Sequence, residues 1–327
     1  MKRPSTRAGS RNCCAGLART RGRVTTEAGL LLVDKPAGAT SHDIVLRIRR
    51  KLGVRRIGHT GTLDPFATGL LLSLVGSFTR LADLYHGLPK SYDATLALGR
   101  ETDTDDLTGK TVSEDAGWRE LDGEAIRASF AAREGVGRQV PSSYSARRTG
   151  GERAYALARR GERPELRARE VTIHEIAVTD IDLPRVRFRA SVSTGTYVRA
   201  LARDIGRDLG PGAHLTALRR SAIGPFGVDE ATAPDAVAEA VAEASTAWRP
   251  GMAALPWVWR RELNDGERDE IRYGRPVERG DVLPPSGSAP DSRGGSTNPV
   301  ALYAADDLFA IAEERDGRLY PKKVFAA

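Results

Sequence analysis

The stretch Gly58–Gly69, GHTGTLDPFATG, places one carboxylate, Asp64, among three glycines, three threonines, a histidine and a proline. Pro65 fixes its own φ and biases Asp64 away from helical backbone. Gly58, Gly61 and Gly69 permit close approaches that a side chain would block. A carboxylate held in such a loop can serve as a nucleophile or general base toward an electrophilic ring or sugar. The same residues also make an ordinary polar turn. Composition leaves both readings open.

Other chemistries are narrowed by inventory. The chain carries no Walker sequence, no dinucleotide fingerprint and no HExxH or Cys–His cluster. Its five histidines, His42, His59, His86, His174 and His214, lack metal-ligand spacing. The run Asp103–Asp106 lacks the spacing and terminal Glu of a calcium loop and reads as part of a solvated acidic loop, Glu101–Gly123. What remains is Asp64, aromatic residues from other segments and many arginines. An arginine beside the carboxylate would keep it ionised and oriented.

The elements that must position these residues follow from periodicity. Leu30–Val33 is a short apolar strand, closed by the turn residues Asp34–Gly38. Ser41 reads as the N-cap of a helix whose Ile44, Val45, Ile48 and Leu52 share one face. After the Asp64 loop, Leu70–Val75 is a buried strand, and a helix from Ser77 carries Phe78, Leu81 and Tyr85. Lys90–Leu98 alternates, which puts Tyr92 on the same side as Ala94, Leu96 and Leu98. Arg167–Val178 and Val186–Val192 read as strands, and Tyr197–Leu209 as a helix with an apolar face of Val198, Leu201, Ala202, Ile205 and Leu209. Tyr197 and Arg199 fall at its N-terminal end, off that stripe. Ala233–Ala247 reads as helical. Beyond Glu262, short elements with turn signals predict a small β domain, interrupted by a low-complexity loop at Pro285–Asn298.

Length and charge bound the partners. At 327 residues two domains are expected, and no apolar run reaches the roughly 18 residues of a membrane span. Residues Met1–Val24 hold seven positive charges and no acid, which accounts for the whole net charge of +7. This arm has no apolar core of a secretory signal and is read as disordered. Arg133–Arg169 carries ten arginines against four glutamates. With Tyr144, Tyr155 and interleaved glycines, that segment suits looped or single-stranded RNA, and equally a solvated basic face. Cys13 and Cys14 are the only cysteines, which fits a reducing cytoplasm.

Five stretches together carry a resemblance. GHTGTLDPFATG, LLVDKPAGATSHD (Leu31–Asp43), KSYDATLALG (Lys90–Gly99), PSSYSA (Pro141–Ala146) and STGTYVRALARDIG (Ser193–Gly206) resemble, in order and spacing, the TruB family of tRNA pseudouridine-55 synthases. The resemblance spans residues 30–225 and more weakly extends to a PUA-type C-terminal domain. It implies an α+β fold: a mixed, largely antiparallel sheet flanked by helices, with a small PUA-like β domain. The expected divisions are a basic arm at 1–26, a catalytic domain at 27–248 with an RNA-binding insertion near 133–169, and the β domain at 249–327.

The resemblance also implies the site. Asp64 matches the catalytic nucleophile, Tyr92 the tyrosine that stacks on the base, and Arg199 the arginine paired with the aspartate. Tyr197 lines the pocket, His59 packs into the RNA loop as uridine leaves its stack, and Leu218 contacts substrate ahead of paired arginines. Arg80, in SFTR, stands where the family often has Lys. The implied activity is isomerisation of uridine-55 in the tRNA T-loop by a cytoplasmic monomer that needs no cofactor, metal or protein partner. The alternative is an RNA-binding or tRNA-folding factor without catalysis.

Overall fold

The computed structural model describes residues 28–142, 148–149, 152–153, 160, 166–286 and 299–325. The arm at 1–26, Tyr144, Tyr155 and most of the stretch between them, and residues 287–298 of the low-complexity loop lie outside them. Within the basic segment, Arg148–Thr149 and Glu152–Arg153 pair as two short antiparallel strands.

The centre is a ten-stranded mixed sheet. Its main path runs Trp248–Pro250, Gly29–Lys35, Thr68–Val75, Ala213–Ile223, Lys90–Leu98, Arg185–Val192, Arg169–Asp182, Gly135–Gln139. Ile57–His59 adds to the edge of Thr68–Val75, and Phe226–Gly227 to Ala213–Ile223. All these pairings are antiparallel except one. Thr68–Val75 meets Ala213–Ile223 in parallel, with Thr68 opposite Arg219 and Gly69 opposite Arg220. That junction lies at the end of the Asp64 loop, in the middle of the sheet.

Two helices cover the halves on either side of this junction. Ser41–Leu52 buries Ile44, Val45, Ile48 and Leu52 against Leu31, Val33, Leu71 and Val75. Thr40 is its N-cap rather than Ser41. The Thr40 hydroxyl accepts from Asp43 N–H while the Asp43 carboxylate accepts from Thr40 N–H, a reciprocal capping box. Ser41 is thereby free to hold the Asp64 loop. Its hydroxyl accepts from Leu63 N–H at 2.9 Å and donates to Leu63 O at 3.2 Å, one residue before Asp64. Helix Val198–Leu209 buries Val198, Leu201, Ala202 and Ile205 on Ala94, Leu96, Val186, Phe188 and Leu215. Strand Arg185–Val192 alternates, with Val186, Phe188 and Ala190 inside and three arginines outside.

Two expected helices are shorter than their periodicity implied. Gly76–Leu81 is a 3₁₀ turn followed by the short helix Ala82–His86, although Phe78, Leu81 and Tyr85 are all buried. Ala233–Ala247 forms a helix only over Val237–Ala242, and Ala244 adopts a left-handed backbone that ends it.

The C-terminal part forms a five-stranded sheet in the order Trp259–Glu262, Pro299–Ala304, Asp307–Arg315, Arg318–Val324, Val277–Glu278. It packs on the central sheet through one apolar cluster that includes Leu30, Leu72, Tyr85, Trp257, Tyr303 and Ile311. The fold is α+β with a PUA-like second sheet. Among the described residues no helix is long and apolar enough to cross a membrane.

Candidate active site

Asp64 lines a cleft of about 320 Å³. The cleft is walled by Thr60–Asp64, His86, Lys90, Tyr92, the turn Ser193–Arg199, Leu218 and Arg220. Four segments far apart in sequence meet there, because each leaves the sheet near the parallel junction. Tyr92 comes from Lys90–Leu98, and Leu218 and Arg220 from Ala213–Ile223. Tyr197 is the residue preceding helix Val198–Leu209, and Arg199 is in its first turn.

The geometry around Asp64 is that of a clamped carboxylate. Arg199 Nε lies 2.9 Å from Oδ2 and its Nη2 donates to Oδ1 at 3.2 Å, a two-pronged pair. The third guanidinium nitrogen, Nη1, donates to the backbone O of Thr104 at 2.8 Å and lies 3.2 Å from Asp106 Oδ2. It also reaches Ser142 Oγ at 3.4 Å. The Arg199 and Asp106 side chains are only 5% and 4% exposed, whereas Asp64 keeps 33%, so the open end of this charged chain faces the cleft. Asp106 is further held by hydroxyls from Thr104 at 2.8 Å and Thr108 at 2.6 Å.

Burial raises the Asp64 carboxyl above its ordinary pKa. The Arg199 charge opposes that rise and the Asp106 charge adds to it, with the net direction upward. Across the cleft, burial lowers the Lys90 ammonium to about 8, and the Arg220 charge contributes. Lys35, behind the loop, is lowered to about 8 by burial; nearby Asp64 resists the change and Arg220 favours it. Its Nζ donates to Ala39 O at 2.7 Å and Pro65 O at 3.3 Å, which ties the first turn of the chain to the residue after Asp64.

The structure brings together five of the six residues expected in the site. Asp64, Tyr92, Tyr197, Arg199 and Leu218 line one cleft. His59 does not line it. It ends strand Ile57–His59, and its Nδ1 accepts from Gly61 N–H at 3.4 Å. Burial holds its imidazole below the ordinary histidine pKa.

The acidic loop departs from the sequence expectation. Asp105 and Asp106 are buried, not solvated. Asp106 meets Arg199, and Asp105 Oδ2 lies 3.2 Å from Arg203 Nη1. Glu101 takes a forked pair from Arg207 at 2.7 and 2.8 Å. The sequence does hold a signal for this. Arg199, Arg203 and Arg207 recur every four residues and so share one helix flank, and three such cations need acids from elsewhere. Among the described residues no group of His, Cys, Asp and Glu is arranged to hold a metal ion.

The mixed sheet flanked by helices is a pseudouridine synthase fold, and Asp64, paired with Arg199, stands at the end of its parallel junction. Solved structures support the fold. A chain in an H/ACA RNP bound to a substrate RNA containing 2′-deoxyuridine aligns at TM-score 0.67 and 23% identity, covering 91% of this chain and 85% of that one. A Cbf5–Nop10–Gar1 complex gives the same score at 24% identity, with 91% and 85% covered. The TruB family pseudouridylate synthase N-terminal domain matches residues 49–198, and the tRNA pseudouridylate synthase B C-terminal domain matches 199–253. The tRNA pseudouridine synthase B of Arthrobacter sp. (strain FB24) is 44% identical over 91% of this chain and 97% of its own length. That of Thermobifida fusca (strain YX) is also 44% identical, over 91% and 98%. The chain belongs to the TruB family.

Proposed function

We propose that this protein is an isomerase that converts uridine-55 in the T-loop of tRNA to pseudouridine, with Asp64 as the nucleophile. The observation that carries the reading is the two-pronged Arg199–Asp64 pair at the open end of a buried charge chain. Such a pair favours the ionised carboxylate against the burial that raises its pKa, and it fixes the carboxylate's direction in the cleft. A uridine in a structured loop must leave its stack to reach it. Tyr92 and Leu218 then offer faces for the base, and Tyr197 closes the side. In the reaction the bond from C1′ to N1 breaks and one from C1′ to C5 forms. The C5 proton departs and N1 gains one, so substrate and product are isomers. Attack on the sugar, attack on the base and proton abstraction to a glycal all begin at the Asp64 carboxylate.

His59 packs against the RNA loop rather than the base. Residues 133–169 and the C-terminal sheet add contacts to the phosphate backbone, with divisions at 27–248 and 249–327. The enzyme acts in the cytoplasm as a monomer, without cofactor or protein partner. The relatives' names and the family match support tRNA pseudouridine synthesis; position 55 and the role of Asp64 rest on the motifs and the clamp. Chemical mapping of pseudouridine in a T-loop stem RNA tests both. Wild-type protein yields one modified position, and Asp64→Asn yields none while retaining RNA binding. Product from Asp64→Asn would remove Asp64 from the chemistry; binding without product from wild type would leave an RNA-folding factor.

A further inference from the structure

Arg220 lines the same cleft but is partnered unlike the other arginines around it. Arg199 is answered by Asp64 and Asp106, Arg203 by Asp105 and Asp204, and Arg219 by Asp34. Arg220 is 1% exposed, and its bonds go to backbone carbonyls alone. Nε donates to Leu70 O at 2.7 Å and Nη2 to Gly61 O at 3.1 Å. Among the described residues no carboxylate lies within ion-pair distance of it, and Nη1 has no hydrogen-bond partner. A buried guanidinium with three of its five N–H groups unmet, both of those on Nη1 among them, and no counter-charge is costly unless a ligand completes it.

The unmet Nη1 points to an opening. Gly61 and Arg220 both line the cleft, and a methyl carbon built on Gly61 would stand 3.6 Å from Nη1. Glycine at that position leaves the space in front of the guanidinium clear. Lys90 also lines this cleft, and its Nζ bonds only carbonyls, those of His86 at 2.8 Å and Leu88 at 2.6 Å. The cleft lining therefore includes two positive groups, Lys90 and Arg220, whose side-chain bonds go to carbonyls and not to an acid. Burial is the main cause of the lowered Lys90 pKa, and the Arg220 charge adds to it.

The ligand's chemistry follows from the substrate class, so this inference rests on the function proposed above. RNA offers one kind of anion, the phosphodiester. A cleft that admits a single flipped nucleotide brings that nucleotide's own phosphates to its walls. We propose that Arg220 forms an anion subsite that binds a phosphate oxygen flanking the flipped uridine through Nη1, with Gly61 as its window. The uridine is thus held at its backbone on one side while Asp64 meets it on the other.

The test is a set of T-loop stem RNAs, each with one neutral methylphosphonate near the target uridine, beside the unmodified RNA. Single-turnover pseudouridine formation and filter-retention binding are measured with wild type, Arg220→Gln and Gly61→Ala. Wild type is expected to lose roughly 10- to 100-fold at one phosphate flanking the uridine, the range for a charged hydrogen bond. Arg220→Gln is expected to be slower on unmodified RNA and nearly indifferent to that methylphosphonate. Gly61→Ala keeps the guanidinium, sets a methyl 3.6 Å from Nη1 and strains the loop at φ +157°, so its rate falls on every RNA. Its penalty at the same position, taken against its own rate on unmodified RNA, should shrink. A role limited to clamping the loop predicts the full penalty in both variants, and that result overturns the subsite. So does a wild-type profile with no sensitive phosphate beside the uridine. If Arg220→Gln does not fold, Gly61→Ala decides by the same criterion. Failure of the functional reading shows separately, as no pseudouridine from wild type on unmodified RNA, and binding across the series still tests the phosphate contact.

Discussion

Asp64 illustrates how one residue's environment can be set by a chain of groups behind it. Arg199 spends two nitrogens on Asp64 and its third on Asp106, Thr104 and Ser142, so its fork is fixed before any RNA arrives. A lysine carries the charge but cannot span these acceptors at once. Arg199→Lys should therefore cut single-turnover pseudouridine formation by about 10²-fold, the scale of a misplaced reacting group, with weaker effects on RNA binding. A drop in binding of the same size would mean that Arg199 serves affinity and not alignment. Asp106 allows a sign-specific test. Its negative charge favours the protonated form of Asp64, which burial already favours. If Asp64 reacts as the carboxylate, the acid limb of the pH–rate profile lies above the ordinary carboxylate range. Asp106→Asn removes one upward push, so that limb should move to lower pH even as the overall rate falls. An unmoved limb would show that Asp64 does not feel Asp106.

At the scale of elements, the site depends on the parallel junction between Thr68–Val75 and Ala213–Ile223. There Gly69 has φ +103°, and a Cβ on it would fall 2.3 Å from the Arg220 carbonyl oxygen. Gly69→Ala has to part the strands or strain the backbone. The strain alone is worth roughly 1–3 kcal/mol. Urea unfolding should show at least that loss, together with reduced activity, because Asp64 and Arg220 leave the same junction; unchanged stability would mean that the pairing is looser than its geometry. Much at this scale is legible in the sequence. The apolar faces of Ser41–Leu52, Lys90–Leu98 and Val198–Leu209 follow periods of 3.6 and 2, and the core lies where those periods put it. What periodicity does not supply is long-range pairing. Thr40 and Ser41 are both good caps, and the choice is made by Leu63, to which Ser41 is bonded from 22 residues away. The acids at 105 and 106 escape a reading by composition because a solvated and a buried aspartate look alike there. Their partners lie 98 and 93 residues further along the chain. The candidate site is legible where motifs carry it, and Arg220 gains its interest only once its neighbours can be seen.

For the whole molecule, the question is whether two sheets behave as one body. The cluster joining them is anchored by Tyr85, fully buried, with its ring 5.0 Å from that of Trp257 at 76°. Its hydroxyl donates to Ala254 O at 2.7 Å, from the segment that leads into the second sheet. Around this anchor, Arg80 reaches the carbonyl of Val324 and sits 5.0 Å over the Phe325 ring, and Lys323 pairs with Asp83. An interface that is apolar inside and ionic at its rim should make the two sheets unfold together. Truncating a large buried ring typically costs about 3–5 kcal/mol. Removing only the hydroxyl leaves one buried carbonyl unpaired, at about 1–3 kcal/mol. Tyr85→Ala and Tyr85→Phe should therefore destabilise in that order. Tryptophan fluorescence, which includes Trp257 at the interface, and far-ultraviolet circular dichroism, which reports both sheets, should follow one urea transition that shifts as a whole in each variant. If the fluorescence transition moves to lower urea while the circular dichroism splits in two, the C-terminal sheet is a separately folding unit and the shared cluster only docks it.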